Sequence, residues 1–183
     1  MRVIGGRFRG HRLLALEGSA TRPMLARMRQ TLFDILQGQV EGRVFADLYA
    51  GTGCVGIEAL SRGASAAVFV ESGVRAARTI RHNLEVVGAL DQAQLRRASV
   101  SDVIGRIEAD IYFLGPPYEA VEEYRRSLSA LAARPARWVI AQHAKQLELA
   151  TRYGSLERVR VVKIGANRLS MFRHEREQGP EAG

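Results

Sequence analysis

The chain is expected to form an α/β domain, built on a mostly parallel sheet with helices on both faces. Three observations predict this. Apolar strand-like runs alternate with amphipathic helical runs from residue 44 to residue 142. The alternation then stops, and two β-rich runs flank Gly165-Ala166-Asn167, which reads as a hairpin placing an antiparallel strand in the sheet. The chain has 183 residues, 46% hydrophobic and 25% charged, enough for one core of ordinary composition.

The elements follow in order. Residues 1–16 hold two short β-like runs around Gly5-Gly6-Arg7-Phe8-Arg9-Gly10, a small hairpin. Pro23 suits the first turn of a helix, and Leu25, Met28, Leu32, Ile35 and Leu36 share one face of it. Arg29 sits at the edge of that face, and Arg27 points away. Gly42 opens the main body. Strands are expected at 44–49, 66–71, 94–97, 111–114 and 138–142. Helices are expected at 55–62, 75–87 (ended by Gly88), 100–107 and 119–132. The closing hairpin spans 156–164 and 169–173. Three regions result: a basic hairpin and helix over 1–41, the main domain over 42–173, and a polar, loose tail over 174–183.

Composition narrows the function. No apolar run reaches the ~20 residues that span a bilayer, and no charged-then-apolar leader opens the sequence. Cys54 is the only cysteine, so no internal disulfide or Cys-rich metal site is possible, and no metal is expected. A cytoplasmic protein is the expectation, with a monomer as the default. The net charge is +8. Residues 1–30 alone carry seven arginines against Glu17, a net +6. Such a block suits the phosphates of a nucleic acid, with Arg7, Arg9, Arg12 and Arg27 as candidate contacts.

Gly51-Thr52-Gly53-Cys54-Val55-Gly56 lies between a strand and a helix, and Glu71 ends the next strand 20 residues after Gly51. This is the nucleotide-cofactor fingerprint in its required context. Glycines permit a tight turn, the helix start offers N–H donors, and Glu71 can accept ribose hydroxyls. Asp47 stands where a carboxylate could meet a cationic cofactor. The candidate cofactor set also includes Tyr49, Gly51 and Gly53. A second loop, Gly115-Pro116-Pro117-Tyr118, follows the fourth strand of the series. Two prolines stiffen it, backbone carbonyls there could accept amino hydrogens, and Tyr118 could stack on a flat base. No cysteine follows the prolines, which argues against covalent carbon methylation.

Together these loops resemble the Asp-Pro-Pro-Tyr class of amino methyltransferases. Val3-Ile4-Gly5-Gly6, Gly10-His11-Arg12-Leu13, Thr21-Arg22-Pro23, residues 27–36 and the run Ile57-Glu58-Ala59-Leu60-Ser61-Arg62-Gly63-Ala64 are similar to the RsmD family of bacterial 16S rRNA guanine-N2 methyltransferases. The similarity runs from about Val3 to Arg173. It implies a Rossmann-like class I methyltransferase fold with a seven-stranded sheet, S-adenosylmethionine as cofactor, and 16S rRNA or a small-subunit assembly particle as partner. It further implies that Thr21, Arg22 and Pro23 approach the methionine end of the cofactor, with help from Arg29. Glu71 would hold the ribose, and residues near Ala98 and Ser99 would border the adenine.

One departure stands out. The family pattern has Asp where this chain has Gly115. The backbone carbonyls of Gly115 and Pro116 could suffice, Glu119 could reach in, or the chain could bind cofactor and RNA with little transfer. Three other readings therefore stay open: a binding protein on a methyltransferase fold, a DNA amino methyltransferase, and a nicotinamide-dependent oxidoreductase. The last lacks a substrate-domain or hydride-site constellation.

Overall fold

The computed structural model describes residues 1–16 and 26–175. The elements in order are α1 (Ala26–Ile35), β1 (Val44–Leu48), α2 (Cys54–Ser61), β2 (Ala66–Val70), α3 (Val74–Val87), β3 (Ala93–Arg96), α4 (Val100–Val103), β4 (Ile111–Leu114), α5 (Val121–Leu131), β5 (Trp138–Ala144), β6 (Arg152–Tyr153), β7 (Leu156–Ile164) and β8 (Asn167–His174). Short 3-10 turns cover Leu90–Gln92 and Ile104–Arg106.

All strands join one sheet in the order β3-β2-β1-β4-β5-β8-β7-β6. Strands β1 to β5 pair in parallel, and β8 pairs antiparallel with β5 and β7. Among the described residues the sheet has eight strands rather than the seven expected. The extra one is the two-residue β6, whose Arg152 and Tyr153 pair with Glu157 and Leu156 of β7, and which is too short to leave a periodic signal. β8 reaches His174, one residue past the expected end of the hairpin and into the first residue of the expected tail.

The strand alternation builds two cores. Phe45, Phe69, Ile111, Phe113 and Ile140 face α1, α2, α3 and the N-terminal segment, whose Val3, Phe8 and Leu13 join the same cluster. Leu48, Val70, Tyr112, Leu114 and Val139 face α4 and α5. The N-terminal segment is a turn more than a ladder. Arg2 and Arg12 form its one bridge, and Val3 and Leu13 N–H groups donate to His11 and Met1 carbonyls. Helix α3 ends at Gly88 with φ of 66°, a left-handed cap that favours glycine. No helix among the described residues is long and apolar enough to cross a membrane.

The strand order reverses between β1 and β4. On either side of that point the crossovers run to opposite faces, so a crevice opens beyond the carboxyl ends of these two strands. The loops singled out in the sequence, 49–53 and 115–118, are the ones that leave β1 and β4 there.

Candidate active site

The loop after β1 is shaped by left-handed residues. Tyr49 has φ of 64°, the one positive value outside glycine among the described residues, and Gly51 and Gly53 have φ of 57° and 74°. Glu71, just past β2, ties this turn to the start of α3. Its Oε2 accepts the Gly51 N–H at 2.8 Å and its Oε1 the Gly73 N–H at 2.7 Å. Each carboxylate oxygen keeps a further lone pair for a ligand.

Two glycines are required for different reasons. A Cβ on Gly56 would lie 2.3 Å from Phe69 Cε1, so glycine there lets α2 lie close on the sheet. A Cβ on Gly51 would meet nothing within 4 Å; this face of the loop is open.

Asp47 is buried on the α2 side of β1, and its Oδ2 accepts the Gly56 N–H at 2.9 Å. Burial pushes its pKa up to about 8, against the lowering effect of that hydrogen bond. A buried acid without a counter-charge is costly in its ionised form, and a cation brought to the crevice would reverse the shift. Tyr49 turns the other way. Its hydroxyl donates to Glu123 at 2.8 Å and meets Ser127 Oγ at 2.9 Å, so α5 holds the loop from below. Burial pushes the phenol pKa upward. Ser99 precedes α4, beyond the end of β3, with its Oγ 2.7 Å from Ser101 Oγ.

The loop after β4 is fixed from three sides. The Gly115 N–H donates to the Leu48 carbonyl at 3.4 Å. Tyr124, fully buried on α5, aims its hydroxyl at Gln142 O at 2.8 Å and Pro116 O at 3.2 Å. Pro117 is exposed. Tyr118 is 37% exposed; its hydroxyl donates to Asn167 Oδ1 at the start of β8 and accepts from Gln142 Nε2 at 3.3 Å. A Cβ on Gly115 would touch only the Phe113 ring, at 3.4 Å, an ordinary contact. Glu119 is exposed beside this loop.

The N-terminal segment is docked by side chains of α2 and α3. Glu58 is fully buried and accepts the Ile4 and Gly5 N–H groups at 2.9 and 2.8 Å. It also pairs with Arg29 at 3.3 Å and Arg62 at 2.9 Å. Ser61 Oγ accepts the Phe8 N–H, and Ser61 O accepts that of Arg7. Asn83 binds both sides of a seam: its Oδ1 accepts the Leu14 N–H at 2.7 Å, and its Nδ2 donates to Leu14 O at 3.2 Å and Thr52 O at 2.9 Å. Leu14 is thereby anchored beside the glycine loop.

The structure brings Asp47, Gly51, Gly53, Glu71 and the Gly115–Tyr118 loop to one end of the sheet, and commits the Tyr49 hydroxyl to α5. Thr21, Arg22 and Pro23 lie outside the described residues. Arg29, read as a possible helper at the cofactor, is instead spent on Glu58 and the Arg2 carbonyl, the latter at 2.6 Å. Arg9, Arg12 and Arg27 are exposed, while Arg7 donates to Gln92 and lies 4.4 Å from the Phe8 ring centre. His143, one residue past the strand expected at 138–142, lies within β5, buried between Ala144 O and Ser170 Oγ, and burial lowers its pKa.

Sequence reasoning missed Tyr124, Gln142 and Asn167 as holders of the second loop. Their partners are distant in the chain, and no local pattern marks them.

Comparison with known proteins agrees with this geometry. The model of the family described as conserved hypothetical protein 95 matches residues 1–173. The chain is 29% identical over 183 residues to YlbH of Bacillus subtilis (strain 168), covering 94% of this chain and 98% of that one. It is 32% identical over 123 residues to the Haemophilus influenzae protein named Ribosomal RNA small subunit methyltransferase D, an alignment spanning 64% of each. The solved structure of yhhF from Escherichia coli superposes with a TM-score of 0.83 at 22% identity, covering 96% of this chain and 98% of that one, a likeness of fold. With a family match across the hairpin, the glycine loop and the β4 loop alike, the chain belongs to the conserved hypothetical protein 95 family, the RsmD family.

Proposed function

We propose that this chain transfers a methyl group from S-adenosylmethionine to the exocyclic N2 amino group of a guanine in 16S rRNA. The single observation that carries the reading is the meeting of two loops at the β1/β4 reversal: a glycine loop braced by Glu71, and a proline-stiffened loop ending in a half-exposed Tyr118. The family relatives named for small-subunit ribosomal RNA methylation support the substrate class.

The residues suit the cofactor. The open face at Gly51 admits a ligand close to the backbone, Glu71 retains acceptor capacity for ribose hydroxyls, and Asp47 is a buried acid that a bound ammonium would stabilise in its ionised form. Ser99 would border the adenine, and Thr21, Arg22 and Pro23 the methionine end. When bound, S-adenosylmethionine supplies an electrophilic methyl group on a sulfonium.

The chain's own task is to hold the base. An exocyclic amino group is a weak nucleophile because its lone pair is delocalised into the ring. Orientation can supply about 7–11 kcal/mol of a barrier. Tyr118 stacks the base, in a contact worth ~1–3 kcal/mol. Tyr124 takes the Pro116 carbonyl and Gln142 the Tyr118 hydroxyl, which fixes the loop so that the Gly115 carbonyl would accept an amino hydrogen. With the methyl donor held by the glycine loop, this chain's part would be to keep the amino nitrogen in line with it and to let the surplus proton pass to solvent. Residues 1–41 would grip RNA and cover the cofactor, residues 42–173 would catalyse, and the active form would be a monomer on an assembling small-subunit particle.

The absence of a side chain at position 115 favours one second reading, a chain that binds cofactor and RNA but transfers slowly. The test is calorimetric S-adenosylmethionine binding together with labelled methyl transfer to 16S rRNA. Glu71→Ala should weaken cofactor binding, and Tyr118→Ala should slow transfer with cofactor affinity unchanged. Tight cofactor binding with no transfer by the wild-type chain would select the second reading.

A further inference from the structure

We propose that the exposed face of α3 extends the basic hairpin into one phosphate-binding track, with Arg75, Arg78 and Arg81 as its contacts. The proposal rests on the rRNA reading above. These three arginines are exposed and sit on consecutive turns, spanning about 9 Å of helix at 1.5 Å per residue. None has an acidic partner among the described residues.

The opposite face of the sheet is built differently. On α5, Arg125 pairs with Glu122, and Arg126 with Glu122 and Glu123. At the β6 edge Arg152 pairs with Glu175 and Glu157. The arginines of α5 are thus neutralised by acids of their own helix, and those of α3 are not. In the sequence, the exposed acids that follow the three arginines are Glu85, in the last turn of α3, and Asp91 beyond it.

Two contacts make hairpin and helix one surface. Asn83 joins the middle of α3 to Leu14, and Arg7 reaches Gln92 just past the helix end. The hairpin, α1, α2 and α3 all lie on one side of the sheet, packed around a shared core. At its other end α3 begins one residue beyond Gly73, whose N–H binds Glu71. A strand of RNA lying on Arg9, Arg12, Arg81, Arg78 and Arg75 would therefore be led towards the mouth of the active site. Free phosphates attract such a track without reading sequence, so it would position the substrate and leave base choice to the β4 loop.

The test uses the full chain and an unmodified 16S rRNA transcript over a salt series. The triple variant Arg75→Gln, Arg78→Gln, Arg81→Gln should lower the slope of log affinity against log salt by about 2. S-adenosylmethionine affinity and melting temperature should not move. The double variant Arg125→Gln, Arg126→Gln on the opposite face should keep the wild-type slope. An unchanged slope in the α3 variant, an equal loss in the α5 variant, or wild-type binding insensitive to salt would overturn the track. Wild-type methylation with an unmoved slope would sink the track alone. A lowered slope without any wild-type methylation would sink the catalytic reading alone.

Discussion

Gly115 is where the site departs from the family pattern, and its surroundings decide what a side chain would do. Its backbone lies outside the left-handed region, and a Cβ would meet only the Phe113 ring at contact distance. Gly115→Asp should therefore fold normally and add an acceptor for the amino group. Turnover is expected to rise, up to about 10²-fold, measured as single-turnover methyl transfer. A fall in turnover would mean that the backbone carbonyls already satisfy the amino hydrogens. Asp47 makes a separate prediction. Its folded pKa of about 8 exceeds the ordinary 3.8, so the folded state holds a proton that the unfolded state has lost. Stability is full below pH 4 for this group and falls as pH rises towards 8. Asp47→Asn should flatten that decline in a pH series of melting temperatures. In the wild-type chain a cationic ligand should release a proton near neutral pH, read by calorimetry in buffers of different ionisation enthalpy.

Single side chains also join elements. Glu58 collects two backbone N–H groups and two arginines inside α2. Glu58→Gln breaks a buried pair and should cost about 3–5 kcal/mol, with the fastest added hydrogen exchange at residues 3–13. Gly56→Ala forces a Cβ into Phe69 and should cost about 1–3 kcal/mol in denaturant unfolding. Asn83→Ala strands the Leu14 and Thr52 groups and should cost about the same. It should also weaken S-adenosylmethionine binding, because Asn83 ties Leu14 to Thr52 of the glycine loop; unchanged affinity would remove Asn83 from the site. The elements themselves were legible wherever periodicity ran long. The β4 bounds of 111–114 and the Gly88 stop of α3 match the expectation. The two-residue β6 was not legible, nor was the single-bridge character of the N-terminal hairpin, because both depend on partners rather than on local pattern.

Across the whole molecule, the site exists because the chain reverses its strand order between β1 and β4. The glycine loop and Glu71 could be read from sequence, since their spacing is set by one strand–helix–strand unit. The holders of the β4 loop could not. Tyr118 finds Asn167 49 residues away, and Tyr124 finds Gln142 18 residues away, on other strands of the sheet. The contrast between α3 and α5 was likewise hidden, because only folding sets α3 beside the hairpin and leaves α5 to pair its own arginines. The most direct measurement of the central claim is mass-spectrometric mapping of small-subunit particles, lacking guanine-N2 methylation, after incubation with the chain and labelled S-adenosylmethionine. The account predicts one methyl group on the N2 atom of one guanine of 16S rRNA. Intact cofactor binding with no methyl transferred, or a methyl group on a ring carbon, would contradict it.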